Sequence, residues 1–168
     1  YTAREIDRAS NRLAHALAGM GVVKGDRVAT LLDNRAEQVV NFFAVLKLGA
    51  IQVPINTAYK GEFLRHQLVD SGAKVFFVQG DFASRAVEVV GPDTTPDLQY
   101  CVVVDPPDAV IDAVATTTWQ DALGAGHDGP VERVAVGPAD LACFIYTAGT
   151  TGPSKRCMLS HNYVVSLA

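Results

Sequence analysis

The run Thr147-Ala148-Gly149-Thr150-Thr151-Gly152-Pro153-Ser154-Lys155-Arg156 concentrates the groups that could grip a polyphosphate. Gly149 and Gly152 free the backbone to turn its N–H groups toward an anion. Thr147, Thr150, Thr151 and Ser154 add hydroxyl donors, and Lys155 adds a positive charge. The run follows Leu141 to Tyr146, which reads as a buried strand. It precedes Ser160 to Ala168, which reads as the first turns of a helix with Ser160 at its N-cap. A strand, a glycine-rich turn and a helix in succession make a recurrent phosphate site. Taken alone, a Gly/Thr-rich turn after a strand is more often punctuation than a site.

Two common phosphate motifs are excluded by spacing. A Walker A loop needs four residues between its first Gly and a Gly-Lys pair. Here Gly149 and Gly152 are three apart and Lys155 follows three later. No Gly-x-Gly-x-x-Gly occurs either, so a dinucleotide fingerprint is absent.

The elements that must carry this loop alternate between helical and strand patterns. Thr2 with Glu5 has capping-box spacing, and Ile6, Ala9, Leu13, Leu17 and Met20 mark the buried stripe of a first helix that stops at Gly21. Arg27 to Leu32 reads as a strand. A second helix starts at Asn34 and is apolar on nearly every side, as expected of a helix sandwiched between layers. Gly49 ends it before the strand Ile51 to Ile55, in which Pro54 argues against a fully paired central position. A third helix, about Lys60 to Ser71, stops at Gly72 before the strand Val75 to Val78. Phe82 to Val90 reads as helix and Tyr100 to Val104 as strand. Asp105 to Asp140, rich in Gly and Pro, reads as irregular surface chain with one helical turn near Trp119 to Leu123. Wholly apolar strands separated by helices predict an α/β fold, a mainly parallel sheet with helices on both faces, spanning residues 1–168 as one domain.

Composition narrows the function. The chain is 49% hydrophobic and 19% charged, which fits a globular core rather than disorder. A net charge of −4 without a basic cluster argues against nucleic acid as a partner. The apolar stretch Val39 to Ile55 is too interrupted to be a membrane span. The N-terminus lacks the pattern of a signal peptide, and it also lacks an initiator Met, so a longer protein is expected. Cys101, Cys143 and Cys157 are odd in number and widely spaced, which suits reduced cytoplasmic thiols. Cys143 and Cys157 read as small core residues, Phe42 and Phe43 as core, Trp119 as packing, and Asp26 and Asp140 as turn caps. A homo-oligomer is left open.

The run from Tyr146 to His161 resembles the signature loop of the acyl-adenylate-forming superfamily, whose members include acyl-CoA synthetases, luciferases and peptide-synthetase adenylation domains. Leu46 to Asn56 resembles that family's early structural motif, and the Asn after Pro54-Ile55 leans toward the CoA ligases. The Gly25-Asp26-Arg27-Val28 turn and the Asp140-Leu141-Ala142 lead-in fit as well. The resemblance implies an acid–thiol ligase in fatty acid metabolism. ATP and a carboxylic acid would give acyl-AMP, and CoA would then take the acyl group. Loop residues Thr147, Gly149, Thr150, Thr151, Gly152 and Lys155 would hold the β- and γ-phosphates, and Mg2+ would be bound mainly by residues outside this chain. His161, at a family position, would orient the loop or pack.

Two loop positions depart from the pattern. Ala148 replaces a usual Ser and Arg156 a usual Gly. Arg156 would either strain and block the loop or add its guanidinium to the phosphate contacts; the sequence leaves both open. The adenine, ribose and acyl-pocket segments of the family have no counterpart in these residues. The resemblance therefore implies an N-terminal piece, inactive alone, with a non-catalytic binding or assembly module as the alternative.

Overall fold

The computed structural model describes residues 1–147 and 154–167. The chain begins with helix α1 (Ala3–Gly19), whose N-cap Thr2 and Glu5 form the expected capping box. Strand β1 (Arg27–Leu31), helix α2 (Ala36–Lys47), strand β2 (Ile51–Pro54), helix α3 (Gly61–Ser71) and strand β3 (Ala73–Gln79) follow. A 3-10 turn (Gly80–Phe82) leads into the short helix α4 (Ala83–Val87), then strands β4 (Tyr100–Val104) and β5 (Ala115–Thr118) and helix α5 (Trp119–Gly124). The last elements are strands β6 (Leu141–Thr147) and β7 (Lys155–Ser160) and helix α6 (His161–Ser166).

The seven strands form one sheet in the order β5-β4-β3-β1-β2-β6-β7. Every pairing is parallel except β6 with β7. One face packs on α3 and α4 through Leu64, Leu68, Ala83 and Ala86. The other packs on α1, α2 and α5 through Leu13, Leu17, Val40, Val45 and Trp119. Strand β3 shows why the period-2 reading works: Phe76 and Phe77 are both fully buried, one in each core. Burying each is worth roughly 1.5–3 kcal/mol. The layered α/β architecture expected from the sequence is the one observed.

Several details differ from that expectation. Helix α2 starts at Ala36, with Arg35 as N-cap and no side-chain cap bond, rather than at Asn34. It is not sandwiched all round, because Val39 and Phe43 are each 45% exposed and Phe42 is half-buried. Strand β2 is interior, between β1 and β6. Ile51 and Ile55 donate to Asp26 and Thr30 on the β1 side. Residue 54 therefore faces β6, so the missing N–H of Pro54 falls where the β2–β6 ladder is a single pair, Gln52 with Cys143.

The stretch after Asp105 is not wholly irregular. Ala115–Thr118 forms edge strand β5, which escaped notice because it is mostly exposed and has no apolar face. Likewise β7 is an edge strand, and it leaves Cys157 exposed rather than in the core. Cys101 and Cys143 are buried, and burial pushes both thiols up to about 12. Trp119 packs edge-on against Phe77 with ring centroids 6.1 Å apart. Asp26 and Asp140 accept from the Val23 and Gly137 N–H groups, as turn caps do. Among the described residues no helix is long and apolar enough to cross a membrane.

Candidate phosphate-loop site

Chain direction decides where the loop must lie. β1, β2 and β6 run parallel, so the end of β6 lies with the C-terminal ends of its neighbours. From β1 the chain crosses to β2 on one side, then returns past β1 to β3 on the other. Such a reversal opens a crevice beyond the strand ends, where open α/β sheets bind ligands. A cleft of about 410 Å³ lies there, lined by Asp33, Asn34, Gln38, Asn56, Thr57 and Tyr146. The Oε1 of Gln38 is buried without a hydrogen-bond partner among the described residues.

Residues Ala148, Gly149, Thr150, Thr151, Gly152 and Pro153 lie outside the described residues, but both ends of the loop are defined. Thr147 ends β6 and pairs with Lys155 at the start of β7. Thr147 and Lys155 are exposed and Ser154 is half-buried. The Lys155 ammonium and the Thr147 hydroxyl therefore sit at the sheet's C-terminal edge, within reach of an anion in solvent.

The helix expected after the loop does not adjoin it. Strand β7 intervenes and carries the chain back along β6, so α6 begins at the opposite end of the hairpin, where Leu141 pairs with Ser160. Its first N–H groups, from His161 and Asn162, donate to Asp140 and Pro138. The six-residue strand that Lys155 opens sets it apart from α6 by roughly 20 Å. The α6 N-terminus thus lies at the opposite end of the hairpin from Thr147 and Lys155, the described ends of the loop. His161, half-buried with Nε2 unpartnered among the described residues, lies at that far end and cannot orient the loop.

Helix α3 holds the loop's roots, and sequence reasoning missed it. His66 Nε2 lies 3.3 Å from the Ser154 carbonyl, and Gln67 Nε2 donates to Ser154 Oγ at 3.2 Å. The Tyr146 hydroxyl donates to Asp70 Oδ2 at 2.6 Å. Burial, and then the Asp70 carboxylate that accepts from it, push the Tyr146 phenol well above its ordinary value. Arg156 donates to the Asp70 carbonyl at 2.7 Å, and its guanidinium lies over the Phe144 ring at 5.3 Å. These partners are 76 to 88 residues from the loop in sequence, so no local pattern pointed to them.

Arg156 sits in extended backbone within β7, and Asp105 is the one non-glycine with positive φ among the described residues. The replacement of Gly therefore stores no left-handed strain at that position.

The whole chain, residues 1–168, matches the model of the AMP-binding enzyme family. It belongs to that family. It is 38% identical over 168 residues to phosphinothricin tripeptide synthetase PhsC of Streptomyces viridochromogenes, covering 99% of this chain and 14% of that one. It is 33% identical over 168 residues to long-chain-fatty-acid–CoA ligase FadD13 of Mycobacterium tuberculosis, covering 99% of this chain and 31% of the relative. The crystal structure of the anthranilate CoA ligase AuaEII in complex with anthranoyl-AMP superimposes with a TM-score of 0.84 at 28% identity, over 94% of this chain and 29% of that one. The chain thus spans about a third or less of these AMP-binding relatives. Because they include both a peptide synthetase and CoA ligases, the lean taken from Asn56 is not decided by them. Among the described residues no three His, Cys, Asp or Glu side chains converge to hold a metal ion.

Proposed function

We propose that this chain supplies the polyphosphate-binding loop of an ATP-dependent ligase that activates a carboxylic acid as acyl-AMP and passes it to CoA. The observation that carries the reading is the position of Thr147 and Lys155, side by side at the C-terminal edge of a parallel sheet, in a chain of the AMP-binding family. The loop between them brings glycine N–H groups and threonine hydroxyls to the β- and γ-phosphates, and Lys155 adds charge. As pyrophosphate leaves, negative charge grows on it, and donors already aimed there lower the barrier. Mg2+, with ligands elsewhere in the protein, would offset phosphate charge.

A fatty acid is the proposed substrate, supported by the long-chain relative; Asn56 bears only on transfer to CoA. The alternative of a non-catalytic module rested on Ala148 and Arg156. With Arg156 unstrained and turned onto Asp70, that residue no longer favours it. The test is carboxylate-dependent ATP–pyrophosphate exchange by the natural protein that carries this chain, with fatty and aromatic acids offered in parallel. Exchange with fatty acids supports the reading. Exchange with aromatic acids alone corrects the substrate, and exchange with neither refutes the function.

A further inference from the structure

We propose that the C-terminal half of α3 is a positioning clamp for the phosphate loop, with His66, Gln67 and Asp70 acting through Ser154, Tyr146 and Arg156. The inference rests on the loop reading above and deepens it. Four polar contacts join one helix face to both roots of the loop: Tyr146 on the incoming strand, and Ser154 and Arg156 on the outgoing side. Phe144 anchors β6 in the core, but β6 meets β2 through one registered pair, and β7 has only β6 beside it. The end of the hairpin that carries the loop lies beyond this anchor, with Ile145, Thr147 and Lys155 exposed. Contacts to α3, whose Leu64 and Leu68 are buried in the same core, fix that end before phosphate binds.

The donor pattern leaves the loop chemically available. Ser154 Oγ accepts from Gln67, so its own hydrogen stays free for an anion. Arg156 is committed to Asp70 and Phe144, which leaves Lys155 as the cation facing outward from the start of β7. Arg156 is thus a tether rather than a phosphate ligand. Asp70 is the hub, since its carboxylate takes the Tyr146 hydroxyl and its carbonyl takes Arg156.

The test uses the natural protein and follows ATP–pyrophosphate exchange at varied ATP and at varied acid. Asp70→Ala should raise KM for ATP about tenfold while leaving KM for the acid and the melting temperature near their parent values. Asp70→Asn, which keeps both acceptors, should restore most of the loss. Tyr146→Phe, a milder change that keeps the half-buried ring, should raise KM for ATP in the same sense, and its effect should not add to that of Asp70→Ala. An unchanged KM for ATP in both variants overturns the clamp, as does a loss shared equally by both substrates with a fall in melting temperature. Lys155→Ala reports on the loop reading separately. If it leaves KM for ATP unchanged, that reading fails; if it has its effect and the Asp70 and Tyr146 variants do not, only the clamp fails.

Discussion

The centre of the sheet and the β6–β7 hairpin are built on opposite plans. Strands β1, β3 and β4 are buried on both faces, and each pairs along nearly its whole length with a neighbour. Among the described residues of the hairpin only Ala142, Cys143 and Phe144 are buried. Cys157 and Met158 on β7 are exposed, and α6 has no fully buried residue. The centre satisfies its own hydrophobic and hydrogen-bonding needs. The hairpin is anchored by those three side chains and one backbone pair of β6, and at its tip by polar contacts to α3. Stability and the candidate site are therefore carried by different parts of one sheet, and the site belongs to the part that can be moved or reshaped at least cost.

Truncating the centre should produce the largest effect. Phe77→Ala removes a fully buried ring packed on Trp119, and we expect a loss of about 3–5 kcal/mol in denaturant unfolding. Met158→Ala on the exposed hairpin face should change stability by less than about 0.5 kcal/mol. Comparable losses at the two positions would break the contrast. Next comes function at the hairpin tip. Lys155→Ala should cost roughly 1.5–3 kcal/mol in kcat/KM for ATP by removing a charge-assisted phosphate contact, with little change in melting temperature.

A smaller effect is expected where α3 meets the centre. Gly72 caps α3 at φ 60, and its carbonyl accepts from Arg27 at 2.6 Å. Gly72→Ala must place a side chain in left-handed backbone and against that guanidinium, a loss of about 1–2 kcal/mol in thermal or denaturant unfolding. Thiol alkylation reads the contrast without mutation. Cys157 should react with iodoacetamide in the native chain, while Cys101 and Cys143, buried and with thiols pushed up to about 12, should resist until unfolding. Rapid labelling of Cys143 would mean that β6 opens from the sheet.

The smallest effect should appear on acidification. The Arg12 guanidinium holds the Asp128 carboxyl below its ordinary value, and Lys24 followed by the Gly137 N–H does the same for Asp140. Depressed carboxylates stabilise the fold above their unfolded value. That contribution is lost as pH falls through the lower folded value, so both contacts should weaken below the ordinary carboxylate range. Hydrogen exchange should quicken across residues 126–140 before it does in β3. Both pairs are exposed, so the change should stay local.

How much was legible depended on whether a residue's partner was near in sequence. The capping box of Thr2 and Glu5, the stop at Gly72 and the apolar runs of β1, β3 and β4 declare themselves, because their physics is local or periodic. The Gly/Thr/Lys composition of the loop and its place after a strand were readable for the same reason. β5 was not, since Ala115–Thr118 is held by pairing with β4 and not by an apolar face. Nor was β7, where six residues form a strand because β6 lies alongside them.

The amino-acid sequence by itself determined the layered α/β architecture, the residue make-up of the loop and the family to which the chain belongs. All three follow from side-chain type, short-range spacing and backbone preference. Only the tertiary structure decided that the chain returns along β6 instead of entering a helix, that His161 sits at the far end of the hairpin, and that Arg156 turns onto Asp70. Those outcomes depend on which surfaces meet once the sheet has closed its order. A contact between residues 86 apart leaves no periodic trace along the chain; it exists because β2 sets β6 in place and α3 crosses beside it.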